Sequence, residues 1–438
     1  MRILLYSEKF HPRLHYICRV FFELHARCEW EITTDTDRFE ASSDLRINYS
    51  SRKLKADCIH IYPHELLFEN NIREQTLILG EWKNDPVFFM QKQGDIPFDI
   101  FAASFFLISR YEEYLHHVPD EFGRYPVSQS VAYRHGFLNR PLVDEWIMHF
   151  MELISAYAPG LQWKKPDFKF IPTYDIDIAY MYRGKGWFRN TGAALRHLVR
   201  GQWRACRTQM KVLWLHQEDP YDVYPELDQW HDEFQVHPIY FILMGTGSSL
   251  DRNLNPTCRE MLSLLGDLKL KYKVGIHPSV RSHEHFSELQ REVNSLQTDI
   301  SRQHYIKFTL PETYRNLIKT GITADYSMGY GSANGFRAST AIPFPWFDLE
   351  AGTSTPLMLY PFCFMDCNSK FEQGQDLVQT ENEFRYYLNL LLRTGGTFIS
   401  IFHNFALSET EPWQGWHSFY QRMLAEVRNV SPAFNDIH

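Results

Sequence analysis

The second half of the chain carries seven strand-like apolar runs separated by helical or irregular segments, and this alternation restricts the fold more than any other property of the sequence. The runs are 169–177, 237–245, 273–279, 305–310, 322–328, 357–366 and 398–404, with helical periodicity over 259–269, 285–296, 312–319 and 381–393. Strands that alternate with helices pair in parallel, because each crossover must return the chain to the same edge of the sheet. Residues 166–438 are therefore expected to form a distorted seven-stranded (β/α) barrel. Barrels of this kind keep their chemistry at the C-terminal ends of the strands, so polar residues that end these runs are the candidates for function.

Residues 1–160 read as a smaller α/β domain, with strands at 2–6, 30–33, 58–62 and 76–80 and helices at 14–26, 100–115 and 143–157. Pro159-Gly160 and Lys164-Lys165-Pro166 supply the linker. A chain of 438 residues exceeds the usual size of one core, and 44 % hydrophobic and 16 % aromatic residues suffice to bury two. A formal charge of −8 excludes the strongly basic footprint of a nucleic-acid-binding protein. The N-terminal apolar run is short and soon interrupted by Glu8 and Lys9, and no apolar stretch reaches spanning length, so a cytoplasmic protein without a transmembrane segment is expected. The seven cysteines are odd in number and scattered, which fits reduced thiols.

Asp175 and Asp177 end the first run, His277 the third and His403 the last, while Arg302-Gln303-His304 precedes the fourth. Side chains alternate along a strand, so Asp175 and Asp177 share a face. Two carboxylates aimed at one spot repel unless a cation lies between them or one holds a proton. The pair implies a metal site, an acid/base site or both; a turn cap or an ion pair with an arginine is the alternative. A single strand-terminal histidine is commonly a hydrogen-bonded rim residue, but several on one rim favour a site.

These residues resemble the motifs of the polysaccharide deacetylases, the NodB-type carbohydrate esterases. Thr173-Tyr174-Asp175-Ile176-Asp177, Val274-Gly275-Ile276-His277-Pro278-Ser279, Arg302-Gln303-His304-Tyr305 and Ser400-Ile401-Phe402-His403-Asn404 follow the family's order. The N-terminal part resembles a domain of undefined function attached to such deacetylases in Bacteroidetes-like bacteria. The resemblance implies a NodB-type barrel and a divalent ion, zinc by expectation, that serves hydrolysis of an N-acetylated or O-acylated sugar, glycan or glycan precursor. It makes Asp175 the general base, His403 the general acid, and Asp177 and His277 metal ligands. Where the family has a further histidine four residues after the first, this chain has Arg281, and His304 is the expected third ligand. Arg302 is expected to orient Asp175; Arg337, in Gly335-Phe336-Arg337-Ala338, is its rival and, with Tyr305, an expected substrate contact. Two alternatives follow: a degenerate barrel that binds glycan or scaffolds a cell-envelope assembly, and a hydrolase of another non-peptide C–N bond.

No acidic residue lies between Asp177 and Glu218, and Arg196, Arg200, Arg204, Arg207 and Lys211 recur at helical spacing. A solvated helix face explains this stripe; a patch for an anionic glycan, a lipid-linked sugar phosphate or anionic lipid is the sharper reading. Gly245-Thr246-Gly247-Ser248-Ser249 lacks the lysine and spacing of a phosphate loop and reads as a loop at the barrel mouth. Asp366 ends the sixth run, facing the site or making a structural hydrogen bond.

Overall fold

The computed structural model describes residues 2–430 apart from 56, 246, 247 and 249. Thr246, Gly247 and Ser249 of the loop at the expected barrel mouth, and the side chain of Arg189 in the basic stretch, lie outside the described residues.

Strands β1 (Ile3–Ser7), β2 (Trp30–Thr33), β3 (Leu45–Tyr49) and β4 (Ile59–Ile61) form a parallel sheet in the order β2-β1-β3-β4. The strand expected over 76–80 reduces to Gly80, which opens a hairpin of β5 (Gly80–Trp82) and β6 (Asp85–Val87). The helix expected over 100–115 stops at Ile108, because Arg110 adopts a left-handed φ of 55° and Tyr111–Tyr114 form a tight 3-10 turn.

The second sheet contains β7 (Phe168–Ile176), β8 (Ile239–Leu243), β9 (Lys273–His277), β10 (Ile300–Ser301), β11 (Ala324–Met328), β12 (Phe344–Asp348), β13 (Thr353–Pro361), β14 (Phe364–Met365) and β15 (Gly396–His403). Their order is β12-β13-β11-β10-β9-β8-β7-β15-β14. Neighbours run parallel, except that β12 is antiparallel to β13. The fold is thus mixed α/β with a barrel-like sheet, but of nine strands rather than seven, and among the described residues β12 and β14 remain its two edges.

Curvature follows from one contact. Arg302, just past β10, reaches Thr173 and Asp175 on β7 although β8 and β9 stand between them. Three strand intervals on a flat sheet span about 14 Å, beyond the reach of an arginine side chain, so the sheet must curl.

The interior strands are apolar because helices cover their outer face. All of β8 and β15 is buried. Along β7 the alternation of side chains sends the Tyr174 hydroxyl outward to His231 Nε2 at 2.7 Å, on helix Tyr224–Phe234, and turns Asp175 inward. The expected strand 305–310 is absent: Tyr305 and Ile306 hold left-handed φ angles of 58° and 53°, which no strand accommodates. The real fourth strand is Ile300–Ser301, so Arg302, Gln303 and His304 follow a strand end rather than precede a strand.

Strand β12 escapes a pattern reading because Pro345 interrupts its apolar run. It is an edge strand, and the N-terminal region covers it. Tyr16 donates its hydroxyl to the Pro345 carbonyl at 2.8 Å, and the Phe347 ring lies 5.0 Å from Tyr16 and 5.2 Å from Phe105. Both sheets therefore share one continuous apolar core. The basic stretch also departs from expectation: it forms two helices, Gly186–Val199 and Trp203–Trp214, with Gly201 at φ 67° between them.

Candidate active site

The C-terminal ends of β7, β9, β10 and β15 bring Asp175, Asp177, His277, Arg302, His304 and His403 to one side of the curled sheet. All of these except Arg302 line a cavity of about 240 Å³, which Phe122, Tyr305, Phe371 and Phe405 also line. A larger open cleft, about 810 Å³, lies over β3 and β4, away from these residues.

Each histidine has one ring nitrogen pinned and the other aimed at Asp177. His277 Nδ1 lies 2.5 Å from the Arg302 carbonyl, which can only accept, so the proton sits on Nδ1 and Nε2 faces Asp177 Oδ1 at 3.2 Å. His304 donates from Nδ1 to Asp251 Oδ1 at 2.9 Å and points Nε2 at Asp177 Oδ2, 3.5 Å away. His403 donates from Nδ1 to Asp366 Oδ1 at 2.7 Å and likewise sets Nε2 3.5 Å from Asp177 Oδ2.

Asp177, His277 and His304 each offer a ligand atom, all within 4.8 Å of one another, and Asp177 Oδ1 is buried without a hydrogen-bond partner among the described residues. His277 Nε2 and Asp177 Oδ1, 3.2 Å apart, can each turn a lone pair towards a shared cation. Metal–ligand bonds of about 2.0–2.1 Å in tetrahedral array separate neighbouring ligand atoms by about 3.3 Å, close to the 3.2 and 3.5 Å observed here. The donor set thus fits a zinc-like divalent ion, with Asp251 and the Arg302 carbonyl orienting the imidazoles as metal sites require. His403 stands outside this trio and groups instead with Asp366 and Cys367. Burial pushes the Cys367 thiol up to about 12, so it remains a thiol.

Charge is tightly coupled here. Burial opposes ionisation of Asp177, yet His304, His277 and His403 hold it well below the usual carboxylate range. Burial works against a charged His304, but Asp177 and Asp251 raise it to about 9. His403 behaves the same way: burial disfavours the imidazolium, and Asp366, with Cys367, holds it well above the ordinary histidine value.

Asp175 is buried beside this group, with Oδ2 3.7 Å from His277 Nε2 and Oδ1 accepting from Arg302 Nη1 at 2.8 Å. Arg302 is itself wholly buried: it donates to the Tyr326 carbonyl at 3.0 Å and to Thr173 Oγ1 at 2.7 Å, and its guanidinium lies 4.3 Å over the Phe241 ring. That ring fits because its cross-strand partner is Gly275; a Cβ there would stand 2.6 Å from it.

Arg337 does not reach the cavity. Its guanidinium is buried against Glu113, 2.6 Å between Nη2 and Oε2. Arg281 is largely exposed on the short helix Val280–Glu284, and His283 turns towards Thr313. Tyr305 does line the cavity, stacked 5.3 Å from Phe122 at 16°.

Sequence reasoning missed Asp251, Phe122 and Arg124. Asp251 follows Ser248, whose hydroxyl caps its backbone at 2.8 Å, a local turn signal that says nothing of His304. Phe122 and Arg124 come from the turn 119–123 and its flank, far from every strand end; Arg124 Nη1 donates to the Tyr305 carbonyl at 2.9 Å.

Residues 3–159 match a family of unknown function, DUF7033. No curated protein matches the chain. Among solved structures, a Mycobacterium smegmatis protein described as a "putative polysaccharide deacetylase" aligns over 61 % of this chain and 86 % of its own, with 12 % identity and a TM-score of 0.39.

Proposed function

We propose that the protein is a metal-dependent hydrolase that removes an acyl group from an N-acetylated or O-acylated sugar, free or within a glycan or its precursor. The observation that carries this reading is the convergence of three pinned imidazoles on Asp177 beside a second carboxylate, Asp175, whose position Arg302 fixes. Asp177, His277 and His304 are the proposed ligands, and His304 takes the place that Arg281 leaves open. When bound, a zinc-like ion supplies Lewis-acid polarisation of the acyl carbonyl and makes water more acidic.

Asp175 takes the proton of the attacking water through Oδ2, its other oxygen being occupied by Arg302. His403, kept as imidazolium by Asp366, gives its Nε2 proton to the departing amine or alkoxide. Tyr305 and Phe122 form an aromatic wall on which the apolar face of a sugar ring rests, and Phe371 and Phe405 enclose the cavity. At about 240 Å³ the cavity has room for one sugar unit at a time.

The test is acetate release from N-acetylated oligosaccharides by zinc-loaded protein. Asp175→Asn is expected to cut the rate by a factor of about 10²–10⁴ while zinc still binds. Retained activity in that variant would reject the base assignment. A protein that binds zinc and glycan without turnover would favour the degenerate glycan-binding alternative, and release of ammonia or amine from non-sugar amides would favour the wider C–N hydrolase reading.

A further inference from the structure

We propose that the helical hairpin formed by Gly186–Val199 and Trp203–Trp214 docks the protein on the surface of an anionic lipid bilayer. The hairpin leaves the sheet after Asp177, at the C-terminal end of β7, and the chain returns through helix Tyr224–Phe234 to β8. It is therefore inserted on the rim where the cavity residues gather.

Two features of its surface belong together. The first is apolar: Leu195 (63 % exposed), Val199 (80 %), Trp203 (68 %), Trp214 (77 %) and Leu215 (68 %) stand in solvent. Helical spacing puts Trp203, Met210 and Trp214 in one row on the second helix, and Leu195, Leu198 and Val199 crowd the end of the first. The second feature is charge. Arg196, Arg200, Arg204, Arg207 and Lys211 run beside these rows, and no carboxylate pairs with any of them among the described residues. The absence of any acidic residue between Asp177 and Glu218 keeps the patch basic within a chain of net charge −8. Gln209 joins the two helices, donating to the Asn190 carbonyl at 2.8 Å, and Val212 is buried.

Aliphatic and tryptophan side chains interleaved with arginines suit the boundary between headgroups and acyl chains, where the rings sit at headgroup level and the guanidiniums meet phosphates. Charge complementarity selects this occupant over a second copy of the chain. A two-fold contact through the hairpin would bring two patches of the same positive sign together, with no acid in either to neutralise them. The surface stands whatever reaction the cavity performs.

Co-sedimentation of the full chain with vesicles tests this directly. Binding is expected to vesicles of phosphatidylglycerol mixed with phosphatidylcholine, to be weak on phosphatidylcholine alone, and to fall as salt rises. Replacing two arginines, R200Q with R204Q, should weaken partitioning about thirty-fold, at the strength of a basic residue near a charged membrane. W203S with W214S should weaken it as well, because the apolar contact is lost while the charge stays. All four residues are exposed, so an unchanged melting temperature separates lost docking from lost folding. Absence of binding to anionic vesicles, or binding that survives both double substitutions, would overturn the proposal. Self-association that both abolish, in protein that ignores vesicles, would overturn it in favour of a second copy.

Discussion

Asp251 and Asp366 never touch the space between Asp177 and the imidazoles, yet they decide which nitrogen of His304 and His403 enters it. A carboxylate that holds Nδ1–H leaves Nε2 as the only atom able to bind or donate. Asp251→Asn should therefore weaken zinc binding about 10–100-fold, measurable by calorimetry, without unfolding the protein. Asp366 should act on pH dependence instead. As the proposed acid, His403 must be protonated, so activity is expected to fall as pH rises through its value, which Asp366 holds well above the ordinary one. Asp366→Asn should move that falling limb of the pH–rate profile to lower pH; an unmoved limb would remove His403 as the acid. Asp175, Asp177, His277 and His403 were legible as strand-end residues. Asp251 was not, because a loop carboxylate shows no periodicity and its partner His304 lies far along the chain.

At the level of elements, β8 and β9 shape the site through one pair. Phe241 on β8 faces Gly275 on β9, and the ring carries the Arg302 guanidinium that fixes Asp175. Gly275→Ala would push a methyl group against Phe241 and, at 2.9 Å, against Ile300. A stability loss of about 1–3 kcal/mol by thermal or denaturant unfolding is expected, together with a fall in kcat as Arg302 shifts. Strand β10 shows where pattern reading failed: two residues are too few to alternate, and the following apolar stretch looked like the strand itself. The left-handed angles at Tyr305 and Ile306 turn the chain so that His304 faces the site and Tyr305 lines the cavity wall.

Across the whole molecule, the N-terminal region is part of the same body as the curled sheet. It covers edge strand β12, contributes Phe122 to the cavity wall, and meets the second sheet through buried charges. Arg110 pairs with Glu112 at 2.8 Å and with Glu113 at 2.7 Å, and Arg337 completes the cluster from the other side of Glu113. Burial opposes the charge of Glu113, but Arg337 and Arg110 hold it at about 2. A depressed carboxylate contributes stability above its unfolded value of about 4.5 and loses it as pH falls towards 2, so acid unfolding should begin in that window. Glu113→Gln should cost about 3–5 kcal/mol at neutral pH, because the buried Arg337 loses its counter-charge and Arg110 keeps only Glu112, and should flatten the acid dependence. Phe122→Ala should raise KM for an acylated sugar with little change in kcat, whereas an appended, independent domain would leave both unchanged. Stripping metal with a chelator should lower the melting temperature, and zinc should restore it, as for any ligand of the folded state.

The sequence by itself determined the α/β alternation, the parallel pairing it demands, and the strand ends at which Asp175, Asp177, His277 and His403 stand. Those are short-range properties: a period of two or of 3.6 residues, and the rule that a crossover returns to the same edge. The tertiary structure alone decided that the sheet curls without closing, that Arg337 serves an ion pair while Arg302 serves Asp175, and that Phe122 faces Tyr305. Each of these depends on where separate segments meet in space, and local patterning cannot encode the curvature that brings β10 to β7.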